Sequence, residues 1–224
     1  MNRTQIFLFR QFSVRRGNAR LDGFEAQKVQ ELLCYLLVHH QRPHSRDKLA
    51  TLLWPGSGES HAKQYLRQTL WELQSAFDQT SPLLVEGNWI QFDPPAARHL
   101  QVDVIKFEQI RARFQGRAGR TLEPAEAEAV AGAVQLYRGD LLEDWYQDWC
   151  IFERERLQNA YLALLDKLVS YYEVKGDQET GIMFATQILR CDRVHERTYR
   201  RLMRLHYQVG DRTRALRQFE RCAA

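Results

Sequence analysis

The stretch that decides the fold runs from residue 26 to residue 77 and reads AQKVQELLCYLLVHHQRPHSRDKLATLLWPGSGESHAKQYLRQTLWELQSAF. The spacing of its apolar residues predicts three helices, at residues 26–40, 46–54 and 60–77. Arg-Pro at 42–43 ends the first helix and Pro-Gly at 55–56 ends the second. Ser45 and Ser60 are the predicted N-caps of the second and third helices. Three consecutive short helices therefore dominate this half of the chain.

The third predicted helix has two chemically different faces. Its predicted buried stripe consists of Ala62, Leu66, Leu70, Leu73 and Phe77. Its opposite face carries Lys63, Gln64, Arg67, Gln68 and Trp71. In a DNA major groove, Arg and Lys read guanine edges, Gln reads adenine, and further cations contact phosphate. The face therefore predicts a DNA-reading helix, and an ordinary solvated helix surface is the alternative interpretation.

Short strands are predicted on both sides of the three helices. Residues 6–14 (IFLFRQFSV) predict one strand, residues 15–18 a turn, and residues 19–21 a second short strand. Residues 83–92 (LLVEGNWIQF) predict a hairpin about the turn Gly87-Asn88. Strands, three helices and a closing hairpin are the order of a winged helix-turn-helix domain, which we assign to residues 1–97.

The N-terminal half resembles the DNA-binding half of the Streptomyces antibiotic regulatory protein family, whose fold is the OmpR-type winged helix. Five features carry the resemblance. They are the Leu-rich first helix and the segments Arg42-Pro43, Ser45-Arg46-Asp47-Lys48-Leu49, Leu53-Trp54-Pro55 and Leu66-Arg67-Gln68. The combination extends over some fifty residues.

The C-terminal half, residues 98–224, is predicted to contain only helices, after an inter-domain joint at residues 93–98 (DPPAAR). Gly176-Asp177 and Gly210-Asp211 lie 34 residues apart, which is the period of tetratricopeptide repeats. The segment 137–157 (YRGDLLEDWYQDWCIFERERL) and these spaced helices resemble the bacterial transcriptional activator domain, which accompanies the winged helix in the same regulator family. The fold class is therefore mainly α, with small β elements confined to the N-terminal domain.

The resemblance implies a transcription activator with a defined set of DNA contacts. The residues implied in the major groove are Lys63, Gln64, Arg67 and Gln68, with Trp71 beside them. Those implied at phosphates are Arg46, Lys48 and His44, and Asn88 in the wing is implied at the minor groove. Family membership further implies head-to-tail homodimers on direct repeats of double-stranded DNA, and contact with RNA polymerase through residues 55–60 or the repeat domain.

Composition and the absence of known motifs argue against membrane, metal-binding and enzymatic functions. The 224 residues are 44% hydrophobic and 27% charged, with a net charge of +4, as in an ordinary globular protein. We find no signal peptide and no membrane-spanning run, so the expected location is the cytoplasm. Four scattered cysteines predict free thiols, and His39, His40, His44 and His61 lack the partner spacing of a metal site. No nucleotide-binding or hydrolase motif is present, so we expect neither an enzyme nor a cofactor.

Three further questions stay open at the level of sequence. The alternative function is a protein-interaction scaffold that uses the helical repeats, with a degenerate winged helix, since Glu72 is acidic and the predicted wing has no cation. Residues 190–221 contain ten arginines and four acidic residues, which predict either a solvated surface or a docking face for DNA or an acidic protein. The exposed apolar pair Leu216 and Phe219 predicts either a short terminal helix or the front piece of a longer protein.

Overall fold

The computed structural model describes residues 3–77, 81–93 and 96–223, and most of them are helical. The chain divides into two compact units. The first comprises the residues up to Lys106 together with Leu142–Asp144, and the second comprises Phe107–Leu141 and the residues from Trp145 onward. Within the described residues, no helix is both long and apolar enough to cross a membrane.

A four-stranded sheet lies in the first unit. Its strands are β1 (Thr4–Phe7), β2 (Ser13–Arg16), β3 (Ala19–Arg20) and β7 (Leu100–Val102), in the order β3-β2-β1-β7. β1 is antiparallel to β2 and parallel to β7. The single strand predicted at residues 6–14 is wrong, because the chain leaves β1 and turns at Arg10, whose φ is 76°.

β7 corrects the prediction that only helices follow residue 98. Its residues pair with β1, and the Asp103 carboxylate just beyond it accepts the backbone N–H groups of Leu8 at 3.0 Å and Phe9 at 3.1 Å. A carboxylate in that position holds the chain after β1, where the ladder has ended. Residues 98–106 therefore belong to the first compact unit, and the units divide beyond the joint that the sequence suggests. Of that joint, Pro94 and Pro95 lie outside the described residues, and Ala96–His99 forms the short 3-10 helix η1.

Three helices and a hairpin complete the first unit. The elements are α1 (Gln27–Val38), β4 (His44–Ser45), α2 (Arg46–Leu53), α3 (Glu59–Ala76), β5 (Leu83–Glu86) and β6 (Trp89–Phe92). The Ser45 side chain accepts the Lys48 N–H, which confirms it as the cap of α2. α3 begins at Glu59 with Gly58 as its cap residue, so the predicted Ser60 cap is wrong. The hairpin has the predicted bounds, and β4 adds a third strand beside β6.

The second unit is built from helices. They are α4 (Asp103–Arg113), whose first residues belong to the first unit, the 3-10 helix η2 (Gly119–Thr121), α5 (Pro124–Leu136), α6 (Asp148–Lys175), α7 (Gln178–Cys191), α8 (Glu196–Gln208) and α9 (Arg212–Ala223). Pro124 stands at the start of α5, where its missing N–H costs no helical hydrogen bond.

The turns after α6 and α8 have the same construction. Gly176 and Gly210 adopt positive φ values of 74° and 80°, a region that favours glycine. The following residue, Asp177 or Asp211, donates its N–H back to a helix carbonyl and caps the next helix with its side chain. This repetition after 34 residues supports a repeated helix pair. Its assignment to the tetratricopeptide class stays a prediction.

Candidate nucleic-acid interface

α3 separates a packed face from a solvent face along its whole length. The predicted apolar stripe is buried, from Ala62 to Phe77. The opposite face is exposed at Lys63, Gln64, Arg67, Gln68 and Trp71. The Trp71 side chain, at 67% exposure, is unusually open for its size. The residues chosen from the sequence therefore do share one accessible surface.

Lys63 is not a free cation on that surface. Its Nζ lies 2.6 Å from a carboxylate oxygen of Glu59 and 2.9 Å from one of Asp47. These hydrogen bonds raise the pKa of Lys63, and the Lys63 ammonium, followed by the Asn88 amide, lowers the pKa of Asp47. The two carboxylates offset the positive charge that the sequence places at this point of α3.

Arg67 is an exposed cation of α3 that no acidic side chain contacts among the described residues. It makes no ion pair or side-chain hydrogen bond with any residue that the structure describes. The next residue, Gln68, donates its amide N–H to Glu72, one turn later, at 3.0 Å, so Gln68 must exchange that bond before it can contact another group. Arg67 and Gln64 are consequently the side chains of this face that are most available for new hydrogen bonds.

The hairpin between β5 and β6 is fastened to the start of α2. The Arg46 N–H donates to the Asn88 carbonyl at 2.9 Å, and Arg46 Nε donates to the Gly87 carbonyl at 3.1 Å. Asn88 Nδ2 donates to Asp47 at 2.9 Å. Arg46 and Asn88, both chosen as DNA contacts, therefore hold the hairpin in place with part of their hydrogen-bonding capacity. Lys48, in the first turn of α2, is exposed and extends from the same region.

His44 does not fit the phosphate contact assigned to it. Only 7% of its surface is exposed, and its Nε2 lies 3.1 Å from the His39 carbonyl. The Tyr35 ring stands edge-on to it at 5.1 Å. Burial lowers the pKa of His44, and the neighbouring Arg42 and Lys48 act in the same direction. The predicted phosphate contact is unfavourable in this arrangement, because β4 turns the side chain inward, where burial disfavours the charged imidazolium.

Two residues of this surface were missed by the sequence reasoning. Asp47 forms an ion pair with Lys63 and accepts a hydrogen bond from Asn88. The sequence around Asp47 indicates only that an acidic side chain is favourable in the first turn of a helix. Trp89 is 53% exposed on the hairpin, and strand alternation could have found it, because its neighbour Ile90 points inward. Contact with DNA itself stays a prediction for every residue of this surface.

Comparisons with known proteins identify a family and show a similar fold among solved structures. Residues 102–224 match the bacterial transcriptional activator domain. The fold is similar to Mycobacterium tuberculosis EmbR in complex with low affinity phosphopeptide, with a TM-score of 0.78 and 17% sequence identity over 99% of this chain. The chain spans 59% of the length of that protein. At this identity, the likeness shows the fold alone. No curated protein sequence gives a significant match.

Proposed function

The chain belongs to the family defined by the bacterial transcriptional activator domain, and from that premise we propose that its first unit binds DNA with sequence specificity. Membership makes the chain a transcriptional regulator of the activator type. We further assign the first unit to the winged helix-turn-helix class and the second unit to the tetratricopeptide-like repeats. We also place the protein in the cytoplasm, without catalytic activity and without a cofactor.

The main support for DNA binding is the exposed face of α3. A helix whose apolar stripe is packed, and whose open face shows Arg67, Gln64 and Gln68, has the side chains that hydrogen-bond to base edges. The hairpin fastened beside α2 supplies the position of a wing.

The contacts suggest different roles for the residues of this surface. Arg67 would read a base, because its guanidinium is exposed and carries a rigid fork of donors. Lys48 would hold a phosphate from the first turn of α2. Arg46 and Asn88 would mainly position the hairpin, with Asn88 facing the minor groove. Lys63 would contribute less charge than its type suggests, since two carboxylates already contact it.

Assembly and partners are proposed from the family alone. Two copies would bind head-to-tail on direct repeats of double-stranded DNA. Residues 55–60 or the second unit would then contact RNA polymerase.

The test uses a duplex recovered by selection from a random pool and a scrambled duplex of the same composition. Arg67→Ala should weaken binding to the selected duplex by about 1–3 kcal/mol, with a smaller loss on the scrambled one. Arg20→Ala is the matched control, because Arg20 is an exposed arginine on β3 in the same unit. An equal loss on both duplexes would assign Arg67 to a phosphate and refute base reading.

One observation favours a second function. The carboxylates around Lys63, together with Glu72, reduce the positive potential of α3, and a scaffold with a degenerate winged helix needs no such potential. Salt dependence separates the two functions. DNA binding falls steeply with salt because neutralised phosphates release counterions, whereas docking through apolar contacts responds weakly.

A further inference from the structure

The second unit contains a cleft of about 530 Å³ between η2, α6 and α8. Six cationic side chains line it, and we call this site the arginine cleft: Arg117, Arg120, Lys167, Arg197, Arg201 and Arg204. Two acidic side chains, Asp166 and Glu173, also line it. The excess of positive charge is therefore local to a concave surface, where a low-dielectric wall strengthens its effect.

The two acids of the arginine cleft are occupied by one arginine at its base. Arg201, with 4% of its side chain exposed, lies 2.5 Å from an oxygen of Asp166 and 2.7 Å from one of Glu173. It also donates to the Ser170 hydroxyl at 3.0 Å. Arg201 offsets one of these two carboxylate charges, and Arg117 pairs with Glu126 outside the cleft lining. The other four cations of the cleft therefore outnumber the one acidic charge that remains.

The rim presents arginines that have few acidic neighbours. Arg197 has 70% of its side chain exposed and approaches Asp166 only at 3.9 Å. Arg120 and Arg204 are exposed, and neither forms an ion pair with any residue that the structure describes. Three guanidinium groups from two separate walls consequently face the same opening.

The wall formed by η2 is held directly against α6. A Cβ atom added at Gly119 would lie 2.1 Å from the Lys167 carbonyl oxygen, so the two backbones touch with no room for a side chain. Lys167 Nζ also donates to the Arg117 carbonyl. The position of η2 against α6 is therefore fixed before any ligand arrives.

We propose that the arginine cleft binds an acidic segment of a partner protein. Guanidinium forks match carboxylates in bidentate geometry, and an extended chain can enter a concave site. A DNA duplex is a broad convex surface, so its phosphates would meet the concave rim at fewer points than a narrow acidic chain inside the cleft. This site goes beyond DNA binding, because it lies in the second unit and uses none of the residues of α3.

The test measures binding of fluorescein-labelled hexaglutamate to the full chain by fluorescence anisotropy at low salt, with hexaglutamine as the uncharged probe. Hexaglutamate should bind and hexaglutamine should not. Charge reversal at the rim, Arg197→Glu with Arg204→Glu, should weaken hexaglutamate binding by at least about tenfold. The matched control reverses two exposed arginines of α9, Arg217→Glu with Arg221→Glu, and should change binding by less than about twofold.

If circular dichroism shows a lower melting temperature for the double variant, the single charge reversal Arg120→Glu on the opposite wall provides an independent test. Absence of hexaglutamate binding, or an equal loss in the α9 control, would overturn the proposal. Displacement of the peptide by a DNA duplex, with the same dependence on Arg197 and Arg204, would also overturn it. Arg67→Ala should leave hexaglutamate binding unchanged, so a failure of DNA recognition and a failure of the arginine cleft can be told apart.

Discussion

Lys63 in the first unit and Arg201 in the second each contact two carboxylates, yet the two contacts have different consequences. Lys63 keeps 43% of its side chain exposed, whereas Arg201 keeps 4%. An exposed ion pair is screened by water and stabilises little, while breaking a buried one leaves charges that water cannot fully reach. The same arrangement, one cation between two carboxylates, therefore lowers the surface charge of α3 in one unit and holds α8 against α6 in the other.

The comparison explains why a count of basic residues misleads about binding surfaces. On α3, the acids lower the effective charge of a face that the sequence presents as basic. In the arginine cleft, the acids are bound at the base by Arg201, and the rim keeps its charge. The charge of a surface therefore depends on whether its acidic side chains pair with the exposed cations or with a buried one.

Removal of Arg201 is expected to give the largest effect on stability. Arg201→Ala should lower the free energy of unfolding by about 3 kcal/mol, because it leaves Asp166 and Glu173 side by side without their shared partner. The adjacent Arg200→Ala is the control, since Arg200 is exposed and pairs only with Glu196 among the described residues. That control should change stability by about 0.5 kcal/mol or less in urea unfolding. Equal losses would contradict the difference drawn here between buried and exposed pairs.

The close contact of η2 with α6 should give the next largest effect. Gly119→Ala forces a Cβ into the Lys167 backbone and should destabilise the protein by about 1–3 kcal/mol. Gly132→Ala, within α5, is the matched control, because nothing lies within 4 Å of its added Cβ. It should be neutral or stabilising by up to about 1 kcal/mol, since alanine favours helix. Thermal unfolding of both variants measures the contrast, and a harmless Gly119→Ala would show that the wall can move.

Release of Lys63 from its two carboxylates should strengthen the binding of the first unit to DNA. The double variant Asp47→Asn with Glu59→Gln should bind duplex DNA more tightly and steepen the salt slope by about one phosphate contact. Adding Lys63→Met should remove that gain. Titration at several salt concentrations measures both slopes. A gain that persists without Lys63 would mean that the acids repel DNA directly and do not act through this lysine.

The smallest effect concerns pH. Burial lowers the pKa of His44 in the folded chain, so the unfolded chain binds a proton more readily. The stability that depends on neutral His44 is complete above its unfolded pKa and is lost as the pH falls through the folded pKa. Urea unfolding at about pH 7.5 and about pH 5.5 should show lower stability at the acidic value. His44→Gln should reduce that difference, although buried His206, whose pKa is also lowered by burial, keeps part of it. An unchanged difference would show that His44 does not titrate in this range.

The sequence predicted features that depend on neighbours along the chain. The Ser45 cap, the hairpin about Gly87-Asn88 and the buried stripe of α3 follow from local spacing, and all are present. The repeated Gly-Asp turns follow from the requirement for positive φ at glycine.

The sequence could not predict features that depend on distant pairing. β7 pairs with β1 across almost a hundred residues, and nothing in residues 100–102 marks them as a strand of the first sheet. The contact of Lys63 with Asp47 crosses from one helix to another, and Arg201 reaches carboxylates on α6. His44 turns inward because β4 pairs with β6, which the sequence analysis did not foresee. Local spacing could indicate the pair of Lys63 with Glu59 on the same helix, but it carries no information about Asp47 on α2 or the α6 carboxylates around Arg201.

The central claim is that the exposed face of α3 reads DNA, and its most direct test is selection of bound duplexes from a random pool, run in parallel with the wild-type chain and Arg67→Ala. We expect the wild-type chain to enrich a directly repeated sequence, and Arg67→Ala to lose preference at one position of each repeat while the other positions keep theirs. A pool without enrichment, from protein shown by circular dichroism to be folded, would contradict this claim.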